Sequence, residues 1–216
     1  MLTVNEIFYS IQGESSFAGY PCVFIRLTGC NLRCTWCDTS YAYHKGQELS
    51  IQEIIQRTLQ YHSSLVEVTG GEPLLQKDTP HLVKTLLDKG LTVLVETNGS
   101  LDINILPPGC HRIIDIKTPG SSECDRNNYE NLQALGNKDE IKFVITSRKD
   151  YEWSKEIMTK YKITDRCKVL LSPAYGYIEI NKIAQWILQD SLKVRLQPQL
   201  HKILWPHDFK EMNKYA

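Results

Sequence analysis

No apolar run in this chain approaches the roughly 20 residues of a membrane-spanning helix. The opening, Met1-Leu2-Thr3-Val4-Asn5-Glu6, lacks the basic and apolar segment of a secretory signal. An excess of charge of one sign is missing too. Lys and Arg total 25 and Asp and Glu total 25, so no broad field draws in nucleic acid or a membrane surface. There is no linker, no fixed-period repeat and no low-complexity tract, and 216 residues with 42% hydrophobic content read as one domain, 1–216. Seven cysteines, an odd number, argue against a disulfide framework. These absences together predict a cytoplasmic protein, with thiols kept reduced, whose partner is a small molecule.

What is present is one dense stretch, Cys30-Asn31-Leu32-Arg33-Cys34-Thr35-Trp36-Cys37-Asp38-Thr39. Its three thiols, separated by three and then two residues, let one loop wrap a polynuclear centre. An ordinary electron-transfer iron–sulfur cluster takes four cysteine thiolates, most of them from the local run. Here the run stops at three. If a four-iron cluster sits on Cys30, Cys34 and Cys37, one iron has no protein ligand and can bind a small molecule directly. Zinc held by the three cysteines and the nearby His44 is an alternative, although zinc sites favour paired knuckles with a second pair farther on. Cys22, Cys110, Cys124 and Cys167 read as ordinary small, buried or partly buried residues.

Apolar runs rich in β-branched residues recur at 22–28, 65–69, 91–97, 112–116, 140–146, 168–172 and 193–197. Their near-continuous hydrophobicity is that of parallel strands covered on both faces. Between them lie helical patterns. Ser50 and Glu53 form a capping box ahead of the stripe Ile51, Ile54, Ile55 and Leu59. A second helix opens at Thr79 with Pro80 in the first helical position and stops at Gly90. Further candidates are 126–135, 150–161 and 179–189. Alternation of strand and helix predicts an α/β fold with right-handed parallel crossovers. A full eight-unit barrel takes about 250 residues, so the expectation is an incomplete, parallel-stranded TIM-like barrel of six or seven strands.

In such sheets ligands bind at the carboxyl ends of the strands, and the unusual residues of this chain gather there. They are the cysteine loop, Thr69-Gly70-Gly71-Glu72-Pro73, Glu96-Thr97-Asn98-Gly99, Lys117-Thr118-Pro119-Gly120, Ser172-Pro173-Ala174-Tyr175 and Gln199-Leu200-His201-Lys202. Paired glycines at a strand end let the backbone approach a ligand. The Thr39 hydroxyl, a turn or cap residue in the ordinary case, can also be a hard oxygen ligand for Mg²⁺.

The cysteine spacing, with aromatic Trp36 just before the last thiol, resembles the radical S-adenosylmethionine (SAM) superfamily. Residues 5–29, Cys37-Asp38-Thr39, Thr-Gly-Gly-Glu-Pro, Glu-Thr-Asn-Gly and the late Gln-Leu-His-Lys further resemble the 7-carboxy-7-deazaguanine synthases. The likeness covers most of the chain, which then continues through Trp205 and Pro206 to Ala216. It implies a radical SAM core and a 4Fe-4S cluster on Cys30, Cys34 and Cys37, one iron of which is chelated by the amino and carboxylate groups of SAM. Electron transfer then yields a 5′-deoxyadenosyl radical that abstracts hydrogen from the substrate. It also implies a homodimer that contracts the ring of 6-carboxy-5,6,7,8-tetrahydropterin to 7-carboxy-7-deazaguanine with release of ammonia, on the route to queuosine. Flavodoxin or ferredoxin would be the electron donor.

Residue by residue, the resemblance gives the pterin Ile11, Gln12, Gly13, Glu14, Thr69, Asn98 and His201. It gives the substrate carboxylate Arg26, whose planar guanidinium suits two parallel hydrogen bonds, and it gives Mg²⁺ Thr39. SAM would take the backbone of Trp36, Cys37 and Asp38, together with Gly71, Asp115, Ile116, Lys117 and Ser172 to Tyr175. Two rivals remain at this level: an activase that installs a glycyl radical in another protein, which shares the cysteine spacing, and a non-catalytic zinc or nucleic-acid module.

Overall fold

The computed structural model describes residues 1–205, and Pro206 to Ala216 lie outside them. The elements follow as β1 (Leu2–Ile11), β2 (Pro21–Leu27), β3 (Gln47–Leu49), α1 (Ile51–Leu59), β4 (Leu65–Gly70), α2 (Thr79–Asp88), β5 (Thr92–Thr97) and β6 (His111–Asp115). Then come β7 (Glu140–Ile145), α3 (Arg148–Tyr161), β8 (Lys168–Pro173), α4 (Ile180–Gln189), β9 (Arg195–Leu196) and α5 (Leu200–Leu204). They build one sheet in the order β3-β1-β2-β4-β5-β6-β7-β8-β9. From β2 through β9 every pairing is parallel. The edge strands β3 and β9 do not meet, so the sheet is an open, incomplete barrel.

All seven expected strands exist, although the last shrinks to Arg195–Leu196. Two more precede or flank them. β1 and β3 pair antiparallel, and β1 is buried only at alternating positions along its first half, so it offers no continuous apolar run. The α1 capping box forms as expected between Ser50 and Glu53. α2 starts at Thr79 as read, with Asp78 as its N-cap, so Pro80 is its second residue and not its first. No α-helix spans 126–135. Two 3-10 turns, Cys124–Arg126 and Tyr129–Gln133, replace it. The asparagine pair is the reason, because such side chains offer the backbone local alternatives to a helix. Asn127 bonds the backbone of Lys117 and Cys124, and Asn128 caps Glu130 N.

The period of two in a strand sends alternate residues to opposite faces. Val23, Ile25, Val66, Val68, Val95, Ile114, Ile141 and Phe143 point into the layer of helices and are fully buried with it. On the inner face, the amino halves of the strands carry a smaller apolar cluster of Phe8, Cys22, Phe24, Leu65, Leu94 and Ile113. From their middles toward their carboxyl ends they carry Arg26, Glu67, Thr69, Glu96, Asp115 and Lys142, all lining one cavity. Apolar cover on both faces therefore stops halfway along the strands.

Candidate active site

The cysteine loop leaves β2 and is fastened at several points. Gly29 takes φ 99°, and its carbonyl accepts from Glu72 N at 2.8 Å. Leu32, between the first two cysteines, is 1% exposed and anchors the loop inward. Thr35 Oγ1 donates to Gly120 O at 2.8 Å, and Arg33 N donates to Glu123 Oε1 at 2.6 Å, so the turn after β6 braces the far side. Cys30, Cys34 and Cys37 are free, partly exposed, and face one cavity. Leu32 N stands 3.4 Å and Asn98 Nδ2 3.8 Å from Cys30 Sγ. Burial raises the Cys30 thiol and pushes Cys34 up to about 11, against the pull of Lys117.

The Gly-Gly turn packs directly beneath this loop. A Cβ on Gly71 would stand 2.4 Å from Gly29 O and 2.7 Å from Cys30 Cβ. Glu72, wholly buried, accepts from Asn98 N at 2.6 Å, Leu74 N at 2.9 Å and Thr97 Oγ1 at 2.8 Å. It thereby ties the turn after β4 to the turn after β5. Its pKa is raised by burial despite those bonds.

Lys117 and Asp115 project from the end of β6 toward the cysteines. Lys117 Nζ lies 2.8 Å from Asp115 Oδ2 and 4.9 Å from the centroid of the Trp36 ring. Burial disfavours the ammonium, but Asp115 and Cys34 outweigh it and raise its pKa. Asp115 Oδ1 and Trp36 Nε1 are buried with no hydrogen-bond partner among the described residues. Three free thiols facing one cavity and these two orphaned polar atoms beside them fit a cluster with an adenosyl ligand. Among the described residues, no group of three or more His, Cys, Asp or Glu side chains is set to close on a single metal ion.

Arg26, which lines the same cavity, lies between the Phe8 and Tyr41 rings, its Cζ 5.8 Å from each centroid. Arg26 Nε donates to Glu6 Oε1 at 2.8 Å, and Tyr41 Oη donates to the same oxygen at 2.9 Å. That leaves the terminal guanidinium nitrogens facing the cavity. Thr69 pairs with Arg26 across β2 and β4. Gln12 Nε2 donates to Glu67, and Gln12 Oε1 accepts from Glu14 N at 3.1 Å. α5 closes over Gly13 and Glu14. Leu200 N donates to Gly13 O at 2.9 Å, Gln199 Nε2 to Glu14 Oε1 at 2.8 Å, and Lys202 Nζ to Asp38 Oδ2 at 2.8 Å. His201 sits where a Cβ on Gly13 would be, 2.1 Å from its Nδ1. Thr39 Oγ1 donates to Asp38 Oδ1 at 3.0 Å on the cavity rim.

Twenty of the expected residues thus share one cavity, and Ile116 and Ser172 do not reach it. Ile116 belongs to the helix-facing core, because the alternation that turns Asp115 and Lys117 inward turns it outward. Ser172 is 1% exposed and stays within β8. Asn98 lines the cavity, yet its amide is engaged with Asn31 and Cys30 on the cysteine loop. Sequence reasoning missed Glu6, Tyr41, Glu67 and Lys142, which also line the cavity, and gave no role to Glu96, Gln199 and Lys202, which it placed only within the strand-end runs. The one trace they leave in the sequence is an isolated charge inside an otherwise apolar strand, in Leu-Val-Glu-Val-Thr and Glu-Ile-Lys-Phe-Val, which does not by itself say which face the charge takes.

Residues 24–116 match the profile of the Radical SAM superfamily. Over 210 residues, 96% of each chain, the sequence is 45% identical to the 7-carboxy-7-deazaguanine synthase of Chlorobaculum tepidum. The chain belongs to the 7-carboxy-7-deazaguanine synthase family. A relative of the same name from Koribacter versatilis is 39% identical over 97% of this chain and 99% of its own. The crystal structure of QueE from Escherichia coli shares the fold, with a TM-score of 0.76 and 23% identity over 93% of this chain and 94% of that one. As a radical SAM enzyme of this family, the chain calls for a 4Fe-4S cluster and SAM, and the zinc-module and activase alternatives fall away.

Proposed function

We propose that this enzyme converts 6-carboxy-5,6,7,8-tetrahydropterin to 7-carboxy-7-deazaguanine and ammonia, with Mg²⁺ beside the substrate. The observation that carries the reading is one cavity lined both by the three-thiol loop and by Arg26, whose Nε is taken by Glu6. A carboxylate on a flat, nitrogen-rich ring fits that guanidinium and the acceptors around it. When bound, the cluster and SAM supply the hydrogen-abstracting radical.

The chain's own residues hold the reactants. Cys30, Cys34 and Cys37 would carry the cluster. Gly71, Asp115, Lys117, Tyr175 and the backbone of 36–38 would flank SAM, and Thr39 would meet Mg²⁺. Arg26 would grip the carboxylate, while residues 11–14, Thr69, Asn98 and His201 would bound the ring. His201, Gln199 and Leu200 exclude water by closing α5 over Gly13 and Glu14. One domain over 1–216, a homodimer, a cytoplasmic setting, a flavodoxin or ferredoxin donor, and queuosine as the end use complete the reading.

The test is anaerobic. The reconstituted protein is given SAM, Mg²⁺, a reductant and the tetrahydropterin, and a deazaguanine is followed by mass and ultraviolet spectrum. No product, from a protein that slowly releases 5′-deoxyadenosine, would overturn the substrate assignment.

A further inference from the structure

β7 is an apolar strand with one cation in its middle. Ile141 and Phe143 face the helices, and Lys142 between them turns inward with 8% of its side chain exposed. A lone buried ammonium is expensive, so its partners matter. Lys142 Nζ donates to Glu14 Oε2 at 2.9 Å and to Glu96 Oε1, and stands 3.9 Å from Asp115 Oδ2. Glu14 is held further by Gln199 and, through its backbone, by Gln12. Glu96 has no other partner among the described residues, so its Oε2 is left to the cavity.

We infer that Lys142 is a positioning residue for the substrate: by bridging Glu14 and Glu96 it fixes both as charged acceptors on the cavity floor, for the N–H edge of an aminopyrimidinone ring. The inference rests on the pterin reading proposed above. The floor gathers four carboxyl groups around Lys142 and Lys117; burial, with Glu96 beside it, holds the Glu67 carboxyl well above its ordinary range, which leaves Glu14, Glu96 and Asp115 as the acceptors. A ligand that satisfies them brings several N–H donors on one edge, as the 2-amino group and ring N–H of a pterin do. Glu14 and Glu96 converge on one point, and without the cation between them like charges would make one carboxylate take up a proton. A protonated carboxyl donates where the ring needs an acceptor.

The groups that act on Lys142 come from every packed element: Glu14 after β1, Glu67 on β4, Glu96 on β5, Asp115 and Lys117 on β6, Asp38 on the cysteine loop and His201 on α5. Burial works against the ammonium, but Glu14, Glu96 and Asp115 outweigh it and hold it charged. Burial likewise works to raise Glu14, and Lys142 and His201 outweigh it and keep its carboxyl below the usual range.

The test uses the full chain with its cluster reconstituted and 6-carboxypterin as the probe, titrated by fluorescence at about pH 6 and about pH 8. 6-Carboxylumazine, with a carbonyl in place of the 2-amino group, is the comparison ligand. Lys142→Met is expected to bind the pterin about tenfold or more weakly than wild type at the lower pH, as losing a charge-assisted acceptor implies. It should recover part of that loss at the higher pH and no longer prefer pterin to lumazine. Affinities are taken as ratios to wild type, so ionisation of the ligand cancels. Unchanged affinity and preference in Lys142→Met, or an equal, pH-independent loss for both ligands, would overturn the assignment. If Lys142→Met does not fold, Glu96→Gln decides. Lost preference for the pterin supports the bridge, and retained preference refutes it. Failure of wild type itself to bind 6-carboxypterin, with SAM cleavage intact, refutes the pterin reading and this inference with it.

Discussion

Gly71→Ala is the most exacting perturbation of the site, because it adds one methyl group where backbone stands on the other side. The new Cβ would lie 2.4 Å from Gly29 O, against the 3.4 Å of ordinary contact, so something must move by about 1 Å. Gly29 O cannot retreat freely, since it accepts from Glu72 N at 2.8 Å, and Glu72 is itself fixed by Asn98, Leu74 and Thr97. The remaining freedom is in the cysteine loop, where Cys30 Cβ is the second atom met at 2.7 Å. Overpacking of this kind costs about 1–3 kcal/mol, which for a chain of this length lowers Tm by roughly 2–12 °C. The assay is a thermal melt of the cluster-free protein, followed by the ratio of iron to chain after anaerobic reconstitution. Gly136→Ala is the internal control, because its Cβ would meet nothing nearer than 3.8 Å. Were Gly71→Ala to match Gly136→Ala in both melting and iron content, the packing of the glycine turn under Cys30 would not matter as argued.

Arg26→Lys keeps the charge but loses the fork and the stack between Phe8 and Tyr41. KM for the pterin should rise about tenfold to a hundredfold with a smaller change in kcat, and equal kinetics would count against carboxylate binding there. Ser50→Ala removes the α1 cap far from the cavity. It should lose about 1 kcal/mol in urea unfolding with activity unchanged, and an activity loss in the folded variant would show that the helix acts on the site. Glu72→Gln replaces a buried acceptor of three bonds with an amide, and is expected to destabilise by about 2–3 kcal/mol in the same assay. A neutral result would remove the clamp assigned to Glu72. Burial pushes the Cys110 thiol up to about 11 from an ordinary value of 9.0. A thiol raised on folding stabilises below its unfolded pKa and loses that contribution as pH climbs to the folded value. Stability should thus fall by up to about 2 kcal/mol between about pH 9 and 11 on account of this group. Cys110→Ala should show a shallower alkaline decline, and identical slopes would refute the assignment.

Legibility in the sequence followed burial. β2 and β4 to β8 are buried along most of their length, and such continuous apolar runs announce themselves. β1 does not, because it is half-buried and its partners are antiparallel. The cysteine loop and the turns at the strand ends were readable from local residue type alone. Glu67 and Lys142 were not, since a single charge in an apolar strand reads as a solvent-facing residue until the register puts it opposite other charges. Asp115 pairs with Lys142 across β6 and β7, a relation no local pattern contains. Ile116 failed for the converse reason: proximity in sequence to Asp115 and Lys117 says nothing of face. The turn of Asn127 and Asn128 shows side chains competing with a helix that hydrophobic spacing alone suggested.

The clasp between α5 and the turn after β1 bears on how the protein is made. Glu14 and Gln199, which meet in the cavity wall, stand 185 residues apart in the chain. A polypeptide still on the ribosome has made all three cysteines long before the segment that closes over Gly13 and Glu14 has been added. Closure of so long a loop is entropically late. The thiol loop can therefore take up its metal while the pocket stands open, and the seal against water forms when the last strand and α5 arrive.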